Sequence, residues 1–185
     1  MKSKKRYSKI SIAVTLKSLS FIVAIAGCVL LPPKTVDYVD LERYAGLWYE
    51  IARYDTPFDE DAVAVTAEYA LNDDGTVSVL NKGRVGSLDG EPTSIEGVAR
   101  VVDSRTNSKL AVRFFRPEIE KFEFAYWIID LGEEYDYAVV SNPTRSVLYI
   151  LCRTSAMDDQ LYNDIVARLA KRGFNPDKIE LTPQP

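Results

Sequence analysis

Histidine is absent from this 185-residue chain. That removes the commonest general base, the imidazole metal ligand, and every Ser-His or Cys-His nucleophile pair. Cysteine occurs only at Cys28 and Cys152, too few for a thiolate-rich zinc site. No metal or cofactor is expected, and no catalytic residue is assigned. Positive charge is also scarce once the first residues are set aside. Residues 1–27 hold six of the 23 Lys and Arg and none of the 27 Asp and Glu. The remainder has 17 basic against 27 acidic residues, a formal charge of about −10. Such a surface argues against nucleic acid, whose affinity depends on cation-phosphate contacts, and against a basic patch for anionic lipid heads. It favours solubility. The apolar stretch Leu19–Gly27 falls short of the ~20 residues that a transmembrane helix needs.

What that stretch does fit is a secretory signal peptide. Lys2 to Lys9 form a basic n-region, and Leu19–Gly27 a short hydrophobic h-region. The ending Ile25-Ala26-Gly27-Cys28 resembles the bacterial lipobox, in which small residues precede an acylated cysteine. The resemblance implies cleavage before Cys28 and lipidation of its thiol and new amino terminus. Val29 follows where an aspartate would imply inner-membrane retention, so the resemblance points to the outer membrane. An ordinary cleaved signal, or an uncleaved anchor with a chance cysteine, is the alternative. On the lipobox reading, residues 1–27 are signal, 28–36 a lipidated cysteine with a stiff Pro32-Pro33 tether, and 37–185 one folded domain. Cys152 then has no disulfide partner.

Between Gly46 and Arg153 short alternating segments recur, separated by turn signals. They span about 46–55, 62–71, 76–85, 93–102, 108–115, 122–130, 135–141 and 146–153. Asn72-Asp73-Asp74-Gly75 is a strong hairpin turn between the second and third. Eight strands with short connections predict an all-β, antiparallel up-and-down barrel, a closed form without exposed edges. The period then changes. Ser155-Ala156-Met157-Asp158 reads as a capping box with Asp replacing Glu. Leu161, Ile165 and Leu169 form an apolar stripe, and Gly173 a C-terminal cap. This predicts one C-terminal helix over about 156–172, packed on the outside of the barrel. A final short strand, 174–181, and a tail follow.

The string Gly46-Leu47-Trp48-Tyr49-Glu50-Ile51-Ala52-Arg53 resembles the first-strand signature of the lipocalins. So do Val79–Gly83, Tyr137–Pro143 and Tyr149–Arg153, and the order of eight strands, a helix and a ninth strand. The resemblance covers about 36–185 and is strongest to bacterial outer-membrane lipocalins and the related apolipoprotein D-like branch. It implies a container for a hydrophobic ligand, with fatty acid or lysophospholipid the best candidates. It also implies that Arg153 packs across Trp48, with Gly46 beside them, at the closed end of the barrel. A guanidinium on an indole gains about 0.5–2 kcal/mol, which favours a structural role for the pair.

With Arg153 turned inward, alternation sorts the remaining positions. Tyr149 and Leu151 share its face, while Ile150 and Cys152 face out beneath the helix. The expected pocket comprises Ala52, Val65, Ala67, Tyr69, Val79, Asn81, Ala99, Leu110, Val112, Phe114, Tyr149 and Leu151. Small Ala52, Ala67 and Ala99 favour a cavity over an interior packed solid. Glu50 shares the parity of Trp48, as a structural carboxylate or as an orienting group for a ligand's head. Two rivals remain at this level. One is a calycin-type enzyme acting on lipid through Cys152 or Glu50; the other is a structural or stress-response envelope lipoprotein without a specific ligand.

Overall fold

The computed structural model describes residues 31–56 and 61–185. The signal segment 1–27 and Cys28 lie outside the described residues. Elements follow in the order α1 (Leu41–Tyr44), β1 (Gly46–Tyr54), β2 (Ala62–Leu71), β3 (Val77–Val85), β4 (Pro92–Val101) and β5 (Lys109–Phe114). Then come β6 (Phe124–Leu131), β7 (Tyr137–Ser141), β8 (Leu148–Cys152), α2 (Asp159–Lys171), a 3₁₀ turn (Pro176–Lys178) and β9 (Ile179–Leu181). Strands β2 to β8 pair in sequence, β8 pairs with β1, and β1 returns to β2, closing an eight-stranded antiparallel barrel. β9 adds to β1 outside that ring.

Two cores result. Inside the barrel, Tyr44, Trp48, Tyr69, Val79, Leu110, Ile128 and Val140 pack together toward one end. Outside it, Ile150 and Cys152 of β8 meet Ile165 and Leu169 of α2 and Phe174 beyond it. Cys152 is thus a buried free thiol under the helix, with its Sγ 3.3 Å from Thr154 Oγ1.

Local chemistry moves several expected boundaries. Helix α2 starts at Asp159, three residues later than the Ser155 box implies. Asp158 is the N-cap, accepting from Leu161 N at 3.0 Å, because it stands at the spacing an N-cap carboxylate needs. The C-terminal end is as expected. Gly173, at φ 83°, sends its N–H to Ala170 O, and Phe174 N reaches Leu169 O, a Schellman closure that needs the left-handed residue. The last strand is shortened from 174–181 to Ile179–Leu181. Asn175 caps a turn at Asp177 N, and Pro176 has no N–H to give a ladder.

The largest correction concerns β1. Its register with β8 slips between Glu50 (opposite Leu151) and Ala52 (opposite Ile150), leaving Ile51 as an extra residue. Parity inverts beyond that bulge. Ala52 and Tyr54 turn outward into the core beneath α2, and Ala52 is not part of the pocket wall.

Candidate ligand cavity

One end of the barrel is sealed by side chains from α1 and β1 and from Arg153 at the end of β8. The capped turn α1 lays Tyr44 over the interior, and fully buried Trp48 donates from Nε1 to Tyr44 O at 2.8 Å. Arg153 lies on the indole, with Cζ 3.7 Å from the ring centroid. Its remaining donors go to Leu47 O (2.9 Å), Arg43 O (2.7 Å) and Tyr135 O (3.2 Å). A β-carbon on Gly46, which has φ 94°, would stand 3.4 Å from Arg153 Nη1. Gly46, Trp48 and Arg153 therefore meet at this end.

Above the seal lies a cavity of about 600 Å³, reaching toward the end of the barrel that carries Val85, Arg116, Ile119 and Asn142. Of the residues that alternation assigns to a pocket, Val65, Ala67, Tyr69, Val79, Asn81, Val112, Phe114, Tyr149 and Leu151 line it. Ala99 and Leu110 lie below, in a pinched space of about 20 Å³ against Tyr44. Other lining residues were not assigned, among them Thr93, Ile95, Ile119, Phe124, Tyr126 and Val147. Thr93 and Ile95 share the parity of Ala99 and could have been found that way. Phe124 and Tyr126 sit in a strand too uniformly apolar for alternation to orient. Val147 lies in the expected strand 146–153 with the parity of Tyr149 and could also have been found by alternation, whereas Ile119 belongs to a connection, where periodicity carries no signal.

The floor of the cavity is a tyrosine cluster. The hydroxyls of Tyr44 and Tyr126 share a hydrogen bond of 2.7 Å, and those of Tyr69 and Tyr126 one of 3.0 Å. Two bonds among three hydroxyls leave one O–H proton unspent. Burial pushes the Tyr69 hydroxyl up to about 12 and those of Tyr44 and Tyr126 well above the usual tyrosine range. All three stay neutral donors at any physiological pH.

Glu50 faces inward but is already engaged. It accepts from Arg53 Nη1 at 2.9 Å and from Thr182 Oγ1 at 2.6 Å, all three residues being buried. That arrangement fits the structural carboxylate. Asn81 differs: its Oδ1 is buried within the wall and meets no protein donor. The residue stands in an otherwise apolar stretch of the cavity wall formed by Val65, Ala67, Val79, Ile95 and Val112. Among the described residues there is no cluster of acidic or cysteine side chains able to hold a metal ion.

Comparison with known proteins agrees with this geometry. The model of the Lipocalin-like domain matches residues 39–184. Outer membrane lipoprotein Blc of Escherichia coli (strain K12) is 38% identical over 157 residues, covering 83% of this chain and 86% of that protein. Temperature-induced lipocalin-1 of Arabidopsis thaliana is 35% identical over 156 residues, covering 82% of each. Among solved structures, lobster apocrustacyanin A1 superposes with a TM-score of 0.62 at 17% identity, over 85% of this chain and 92% of that one, a likeness of fold. With a matching family model over most of its length and relatives above 30% identity, the chain belongs to the lipocalin-like family.

Proposed function

We infer that this protein is a lipid-anchored lipocalin of the bacterial outer membrane that binds, and stores or carries, a fatty acid or lysophospholipid. The cavity carries the reading. At about 600 Å³ it lies within the roughly 300–1,000 Å³ typical of small-molecule sites, and its wall is mainly aliphatic and aromatic. An acyl chain buried there gains about 25 cal/mol per Å² of apolar surface, before the costs of association. The Asn81 amide, once turned from the wall toward the cavity, bonds a carboxyl or hydroxyl group on the ligand. Arg116, at the mouth, has a guanidinium that could meet an anionic head. No catalytic step is part of this reading.

The envelope location rests on the sequence and on kinship. The basic n-region, h-region and Cys28 stand in lipoprotein order, and relatives from Escherichia coli and Vibrio cholerae carry the name outer membrane lipoprotein. More than one acyl chain on Cys28 would make anchoring stable, at ~0.8 kcal/mol per buried methylene. Native mass spectrometry of the full-length protein taken from membranes should report both the acyl mass and a co-purified lipid. If protein stripped of lipid bound neither fatty acid nor lysophospholipid in a titration, the ligand reading would fail.

A further inference from the structure

The barrel wall is interrupted between β1 and β2. Their ladder runs only from Gly46 opposite Tyr69 to Tyr49 opposite Thr66. Beyond it β1 pairs with β9 instead, from Ala52 opposite Leu181 to Tyr54 opposite Ile179. β2 bends away there, its register with β3 slipping between Val63 and Thr66. Ala64, at the bend, has φ 49°, a conformation uncommon for a residue with a β-carbon.

Residues 182–184 occupy the gap. Thr182 N donates to Ile51 O at 2.9 Å, and Pro183 O accepts from Ala64 N at 2.7 Å. Gln184 Nε2 reaches both strands, donating to Glu50 O at 2.7 Å and to Val65 O at 2.9 Å. On the inner side, Arg53 Nη1 bridges Glu50 Oε1 (2.9 Å) and Ala62 O (3.0 Å). Glu50, Ala62 and Val65 also line the cavity. At this place a short segment and two polar side chains stand between cavity and exterior, where neighbouring strands elsewhere share a ladder.

We propose that Thr182–Gln184 is a removable strap, and that the seam beneath it is a side portal through which an acyl chain enters and leaves the cavity. The proposal rests on the reading of the cavity as a lipid site. Three features make opening cheap. Thr182 continues the β1–β9 register and bonds Glu50, but Pro183 and Gln184 beyond it are held to β1 and β2 by single bonds, not by a ladder whose strands must separate cooperatively. Gln184 Oε1 is buried without a partner while the strap is closed, and gains water when it lifts. Glu50, Arg53 and Thr182 are polar, so the opened seam is wetted without exposing a core.

Stopped-flow kinetics of cis-parinaric acid, a fluorescent polyene fatty acid, test the portal on the full-length chain and on Gln184→Ala and Gln184→Glu. Loss of the two amide bonds should raise association and release rates together by about tenfold, leaving the dissociation constant unchanged. The glutamate, facing two carbonyls, should be faster still. Faster release with a weaker dissociation constant would mean that the tail merely supports the wall, and unchanged rates would mean that ligand uses only the mouth; either overturns the portal alone. A wild-type chain that takes up no fatty acid overturns the ligand reading and the portal with it. Hydrogen exchange of the wild type gives a second measure independent of the variants. The Ala64 and Thr182 amides should exchange together and ahead of the β2–β3 ladder; exchange only on global unfolding overturns the strap.

Discussion

Arg153 and Trp48 hold each other across the closed end, the guanidinium stacked 3.7 Å from the indole centroid while its donors satisfy carbonyls of Arg43 and Leu47. The indole in turn donates to Tyr44 O, which fixes the tyrosine that forms the floor. Trp48→Ala should therefore cost about 3–5 kcal/mol, read from urea unfolding. Arg153→Met should cost about 1–3 kcal/mol by leaving carbonyls without donors. Arg153→Lys should recover little of that loss, since an ammonium neither stacks flat nor spans several acceptors. A Trp48→Ala protein of full stability would sink the idea that this pair closes the barrel.

The tyrosine floor predicts alkaline sensitivity. Desolvation raises Tyr44, Tyr69 and Tyr126, with Tyr69 reaching about 12. The native state thus holds these protons more tightly than the unfolded chain, whose tyrosines titrate near 10. The resulting stability is complete below pH ~10 and is lost as pH rises through the folded values, by about 1.36 kcal/mol per unit for each tyrosine. Thermal melts between pH 9 and 12 should show a midpoint falling steeply above 10. Tyr69→Phe should lower stability at neutral pH by about 1 kcal/mol through the lost bond, yet make the alkaline fall shallower. Equal slopes in the two proteins would contradict the assignment.

Much of this was legible in the chain. β2 spans 62–71 as its alternation implies, and the Asn72–Gly75 turn leads into β3. What escaped did so for physical reasons. The bulge at Ile51 has no glycine or proline to mark it, and it reversed the side on which Ala52 lies. Helix α1, four residues long, is too short to carry a period. Tyr126 sits in an apolar run, and its role depends on hydroxyls of Tyr44 and Tyr69, both more than fifty residues away. The volume left open above them depends on how far side chains from eight strands reach, which no local pattern encodes.

Anchoring can be tested apart from binding. If Cys28 carries the lipid, Cys28→Ser should move the protein from the membrane fraction to a soluble or unprocessed form, with no change in the barrel's unfolding midpoint. Labelling with a radioactive or clickable palmitate should mark the parent chain and not the variant. Cys152 should stay unlabelled by a thiol reagent in the folded protein, since it is buried beneath α2. Palmitate on Cys28→Ser would refute the lipobox reading.

Asn81 sets stability against binding. Its buried Oδ1 has no protein donor, and an unsatisfied acceptor of that kind costs about 1–3 kcal/mol in the empty protein. Leucine is close in volume and would face Ala67 on β2 and Ile95 on β4, the residues opposite it in the sheet. Asn81→Leu should therefore raise the melting temperature of the ligand-free protein. If the amide also bonds the ligand, the same change should weaken lysophospholipid binding by about fivefold or more, in line with one lost hydrogen bond. Pure hydrocarbon probes should bind as well as before or better, because the wall has become more apolar. Calorimetry with both ligand types separates these effects. Equal weakening for both would mean that leucine narrows the cavity, and that Asn81 reads no polar group.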